Sequence, residues 1–176
     1  YEQSDLNRML EENPFQLILL AVVFAPIIEE GMFRTIIRPS PNELIFFLCS
    51  WLLLLELAFF PDYAHWGLKF LFLVLLFIIS FLFLREIIPY RWQRLLCIFL
   101  RHYYKFVWGL TALVFGLVHI FNYVDAFEIN LALFLLIVPR IIAGYFFGKI
   151  KIENRRLIWP VAMHAMNNSA VLLIVL

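Results

Sequence analysis

Charge is scarce in this chain. Only 15% of its 176 residues are Asp, Glu, Lys or Arg, against 64% hydrophobic. A water-soluble domain of this length could not hide so much apolar side chain in one core. Cysteine is scarce too: Cys49 and Cys97 lie in or beside different apolar runs, which excludes a disulfide framework and a CxxC site. The opening stretch YEQSDLNRMLEENP lacks the basic and apolar regions of a signal peptide. There is no internal repeat, no low-complexity linker and no second soluble domain. The net charge of +1 comes with basic residues clustered between apolar runs, which points away from nucleic acid.

What remains is a series of long apolar runs. A helix crosses the hydrocarbon core with about 20 apolar residues, and that ruler predicts an all-α, multi-pass transmembrane bundle of about six spans. They cover roughly 14–34, 42–60, 65–88, 106–124, 129–150 and 157–176. Pro14 suits a helix N-terminus, and Pro139 is placed to kink the fifth span. The segment RWQRLLCIFLRHYYKF interleaves basic, aromatic and apolar residues. It reads equally as a helix lying in the interface plane or as the end of the fourth span.

Lysine and arginine orient the loops. One basic loop holds Arg85, Arg91, Arg94, Arg101 and Lys105, another Lys149, Lys151, Arg155 and Arg156, and Arg34 and Arg38 follow the first span. The alternate loops carry Asp62, Asp125 and Glu128 instead. With the basic loops cytoplasmic, residues 1–13, with Glu2, Asp5, Glu11 and Glu12, and the C-terminal Leu176 are expected outside.

Polar residues within the spans are then few: Glu29, Glu30 and Arg34 in the first, His119 in the fourth, His164, Asn167 and Asn168 in the sixth. Glu56 and Lys69 fit snorkelling at span ends, and Arg140 has no assigned role. At 1.5 Å per residue, His164 lies about 10 Å and His119 roughly 16 Å from the basic side, with the glutamates about 1–2 turns in. Groups from three spans thus agree in depth and can converge. Glu30 and Arg34 are spaced i, i+4 and can pair, as are Phe115 and His119, and His164 and Asn168. Glu29 points about 100° away from Glu30. Taken singly, a membrane histidine or asparagine is interhelical glue and a glutamate pair at a helix end is solvated. Taken together, a free carboxylate facing two imidazoles and a carboxamide supplies the parts of a peptide hydrolase. Glu29 can act as general base on water, a histidine can position that water, and a histidine and an amide can stabilise the oxyanion. No serine or cysteine is placed as a paired nucleophile.

These residues carry a resemblance. EEGMFR (Glu29, Glu30, Arg34), FGLVH (Phe115, His119) and HAMNN (His164, Asn168) are similar, in order and on separate spans, to the EExxxR, FxxxH and HxxxN pattern of the CPBP family. That family comprises CAAX proteases and bacteriocin-processing enzymes and is also called Abi. The resemblance covers about Pro14–Leu176 and implies an intramembrane endopeptidase domain there, acting on a membrane-tethered or lipidated peptide near the cytoplasmic face. Carried over, Glu29 and His119 activate water, while His164 and Asn168 form the oxyanion hole. Glu30, Arg34 and Phe115 are orienting groups. No cofactor is expected. Zinc on Glu29, His119 and His164 is the alternative, disfavoured by the lack of an HExxH helix and by Asn168, a poor zinc ligand. Larger family members have further spans upstream, which fits a chain starting at Tyr1 without methionine. The resemblance also suggests a prokaryotic plasma membrane. Two other function classes compete: a non-catalytic immunity or adaptor protein using the same cleft, and an ion or proton transporter. The transporter lacks a polar path through the outer half.

Overall fold

The computed structural model describes residues 13–57, 65–124 and 130–175. Among them every regular element is helical, and there are seven helices. The acidic N-terminal stretch, Asp62, Asp125, Glu128 and Leu176 lie outside the described residues. Helix α1 spans Pro14–Phe33, α2 Pro41–Leu57, α3 Trp66–Ile87, α4 Tyr90–His102, α5 Tyr104–Val118, α6 Leu131–Asn154 and α7 Ile158–Val175. Four stretches are long and apolar enough to cross a membrane: α1, α3, α5 with its continuation to Asn122, and α6. The apolar helices α2 and α7 are shorter. The protein is an all-α integral membrane bundle. The lipid-facing surface is plainest on α3, where Leu73 is the only buried residue and Leu68, Leu71, Ile79 and Phe83 are all exposed.

Local chemistry explains the helix ends. Asn13 caps α1 by accepting from Gln16 N at 3.2 Å, with Pro14 in the first turn. Ser40 and Glu43 form a reciprocal capping box at α2, with Ser40 N donating to Glu43 Oε2 at 2.9 Å and Glu43 N to Ser40 Oγ at 3.3 Å. The amphipathic segment is a helix of its own, α4, separated from α5 at Tyr103. It buries Gln93 and Cys97 and exposes Trp92, Leu95, Ile98 and Phe99. Helix α6 continues unbroken through Pro139.

Among the described residues, helices α5 and α6 make the most extensive contact of any pair. Small residues allow the approach: a Cβ on Gly144 would lie 3.0 Å from Phe115 Cδ1 and 3.2 Å from the Ala112 carbonyl. Gly148, one turn on, meets Trp108, whose Nε1–H donates to the Tyr145 carbonyl at 2.9 Å. Met32, Phe33, Phe115 and Phe147 form a buried cluster joining α1, α5 and α6. Arg34, just past the end of α1, rests against this cluster.

Candidate active site

Two departures from the α-helix build the site. In α1, Leu19–Phe24 form a π-turn. The Ala25 N–H reaches back to the Leu20 carbonyl, and Pro26 has no N–H to offer. The Ala21 carbonyl is therefore left over, and Asn168 on α7 fills it, its Nδ2 donating at 2.8 Å. In α5 the chain tightens into a 3-10 turn at His119–Asn122. The His119 N–H turns to the Gly116 carbonyl, which frees the Phe115 carbonyl. The His119 ring takes it through Nδ1 at 2.6 Å. A carbonyl can only accept, so Nδ1 carries the proton and Nε2 faces Glu29.

Glu30 and Arg34 are both at 0% exposure, with Glu30 Oε2 3.2 Å from Arg34 Nε. The expected i, i+4 pair is present, and it has a third member. Glu30 Oε1 lies 2.9 Å from His164 Nδ1. The Arg34 guanidinium also lies over the Phe115 ring, 4.7 Å from its centroid, with Phe33 and Phe147 further off. Phe147 stacks on the His164 ring at 4.9 Å, and Phe115 meets the same ring edge-on at 5.7 Å. His164 is thus fixed by a carboxylate below and aromatic rings around it. Its remaining nitrogen, Nε2, also points at Glu29.

Glu29 is held differently. Its side chain is 27% exposed, and its Oε2 lies 3.7 Å from both His119 Nε2 and His164 Nε2. Those separations are too long for direct hydrogen bonds. They suit a small molecule bridging three polar atoms. Glu29 and His119 line a cavity of about 350 Å³ whose other walls are mostly apolar, among them Leu20, Phe24, Ile28 and Met32. A cavity of about 190 Å³ between α1, α2 and α3, apolar but for Ser50, shares Leu20, Phe24 and Ile28 with it.

Glu29, Glu30, Arg34, His119, His164 and Phe115 therefore meet in one place. Asn168 sits one turn from His164, with one amide N–H committed to α1 rather than to the cavity. Sequence reasoning missed Phe147 and the Glu30–His164 contact. Arg140 lies on the stripe of α6 that carries buried Ile137, Gly144 and Phe147, and its charge acts on both Glu29 and His119. That four-and-three spacing was the signal available for both residues. Two imidazole nitrogens and a carboxylate are donors zinc accepts. Among the described residues, however, no group of three or more His, Cys, Asp or Glu is arranged as a metal-holding cluster.

A comparison with protein families matches residues 11–170 to the type II CAAX prenyl endopeptidase Rce1-like family. The chain belongs to this family. No curated protein and no solved structure matches it. Membership in the Rce1-like family agrees with the CPBP resemblance of the three motifs and with a helical membrane bundle. It supports intramembrane endopeptidase activity, in contact with membrane lipid.

Proposed function

We propose that the chain hydrolyses a peptide bond of a membrane-associated or lipid-bearing peptide, using water activated by Glu29 at the cytoplasmic side. The observation that carries this reading is the convergence of His119 Nε2 and His164 Nε2 on Glu29 Oε2, each at 3.7 Å, where Glu29 and His119 line a cavity otherwise largely apolar.

The tautomers define the roles. His119 gives its Nδ1 proton to Phe115, so neutral His119 accepts at Nε2 and orients one hydrogen of the water. Glu29 takes the other hydrogen as the oxygen attacks the carbonyl carbon. The carbonyl π bond opens to an oxyanion. His164 already faces Glu30 through Nδ1, so donation from Nε2 to that oxyanion requires its imidazolium. The second amide N–H of Asn168 is the remaining donor. As the oxyanion re-forms the carbonyl and the C–N bond breaks, the proton on Glu29 passes to the departing amine, giving a free amine and a carboxylic acid, which then loses its hydroxyl proton to solvent or to the amine. The apolar wall of Leu20, Phe24 and Ile28 that the two cavities share along α1 supports a substrate with an apolar chain beside its scissile bond.

The test compares protein termini in membranes carrying native protein or Glu29→Gln. New termini should be present with the native protein and absent with the variant, which remains folded. Identical termini in both, with the native protein bound to a membrane partner, would make the chain a non-catalytic adaptor.

A further inference from the structure

A second concave site lies away from the carboxylates, at the end of the bundle where the basic loops gather. Its volume is about 510 Å³. Arg38 reaches it from the α1–α2 link, Arg101 from α4, Lys151 from the last turn of α6, and Arg155 and Arg156 from the α6–α7 link. Glu43 is the one carboxylate in its lining. Lys151, 2% exposed, is spent on Glu43, which also caps α2. Four guanidiniums remain, and among the described residues none forms an ion pair with a carboxylate.

Two of these groups are held rather than neutralised. Arg101 donates from Nε to the Pro39 carbonyl at 2.9 Å, an orientation that leaves its two outer nitrogens uncommitted. Arg38 lies over the Tyr104 ring at 4.6 Å. Arg155 adopts the left-handed conformation, φ 57°, and its N–H closes α6 on the Lys151 carbonyl at 2.9 Å. Gathering four like charges around one hollow favours an anion that joins them.

The neighbouring surface indicates which anion. Along the same two helices, α2 and α4, the next residues form an apolar groove of about 440 Å³ walled by Leu44, Phe47, Leu96 and Phe99. Helix α4, with its row of exposed apolar residues, belongs at headgroup depth. A phosphate at one end and a hydrocarbon groove at the other match a single amphiphile. We propose that this cavity binds the phosphate of an anionic phospholipid whose acyl chain lies along the α2–α4 groove. The site is independent of Glu29 and its neighbours.

Native mass spectrometry of the full chain in detergent tests this, with phosphatidylglycerol or phosphatidylcholine added at equal concentration. Phosphatidylglycerol should be retained one per chain and phosphatidylcholine should not. The double variant Arg101→Gln/Arg156→Gln should weaken retention roughly 10–30-fold, from two phosphate-facing cations. Arg94→Gln, on α4 but outside the cavity, should retain the lipid like native protein. Arg156→Gln alone, in an exposed link, gives the same direction without disturbing the Arg101–Pro39 bond. Equal retention of both lipids, or native retention by the double variant and by Arg156→Gln, overturns the proposal. Binding of pyrophosphate at the cavity with no retained phosphatidylglycerol overturns the lipid and makes the ligand a soluble phosphate.

Discussion

Replacing Glu30 by glutamine exchanges one oxygen for an amide nitrogen, at a position with no solvent to absorb the change. Glu30 and Arg34 are both at 0% exposure, and Oε2 is 3.2 Å from Arg34 Nε. The glutamine oxygen can still accept from His164 Nδ1, so that contact survives in weaker, uncharged form. The guanidinium loses its counterion. Its Nη1 and Nη2 have no hydrogen-bond partner among the described residues, and the Phe115 face alone cannot replace a charge. Removing one partner of a buried pair costs about 3–5 kcal/mol. For a chain of this size, about 2–4 °C per kcal/mol makes that roughly a 6–20 °C fall in Tm. Arg34→Gln should fall similarly. The double variant Glu30→Gln/Arg34→Met, with no charge left unpaired, should lose less than the sum. Glu29→Gln has no close partner to lose, so it should melt within about 1 kcal/mol of native protein while turnover falls about 100-fold or more. The assay is thermal melting in detergent beside turnover of a fluorogenic peptide. A Glu30→Gln protein that melts normally but is dead, beside an active Glu29→Gln, would reverse the two carboxylates and refute the reasoning.

Asn168→Ala should orphan the Ala21 carbonyl and cost about 1–3 kcal/mol, and Asn168→Asp should be worse, because it sets an acceptor against that carbonyl; equal melts for Asp and native protein would dispose of the bond. Turnover should survive chelation in protein free of stoichiometric zinc, whereas one zinc per chain, lost with activity in His119→Ala, would establish Glu29, His119 and His164 as metal ligands. Labelling of single cysteines, in a background lacking Cys49 and Cys97, should put the 85–105 and 149–156 segments together on the cytoplasmic side. Either segment found outside breaks the depth argument.

That Glu29, His119 and His164 can meet was legible, because counting 1.5 Å per residue from the basic loops brings all three to a similar level along their helices. The Glu30–Arg34 pair was legible because i, i+4 neighbours belong to one helix. What lies between helices was not. Spacing grouped His164 with Asn168, but it could not show that His164 turns one nitrogen to Glu30 while Asn168 turns its amide to α1. Those contacts depend on the rotation of α7 against α1. The His119 tautomer was equally hidden, since it follows from a 3-10 turn that apolar periodicity does not announce. Pro26 was the readable sign of irregularity in α1. A proline inside an apolar run removes a hydrogen bond and marks where a carbonyl will need another partner. In the sequence α4 reads equally as the end of a span, because its amphipathic pattern is visible but the break at Tyr103 is not.

The π-turn in α1 also shifts the phase of the helix. Six residues there do the work of fewer in ordinary α geometry, so a helical wheel drawn from Pro14 misplaces everything after Phe24. Straightening Leu19–Phe24 into ordinary α-helix with every residue kept would swing Pro14–Ile18 by about 100° relative to Glu29, whereas taking one residue out as well would leave the two halves in their present phase. The two halves of the helix are thus indexed separately. The upstream half can be recut to face a different lipid or neighbouring helix, provided the inserted turn is kept and the carboxylates hold their bearing.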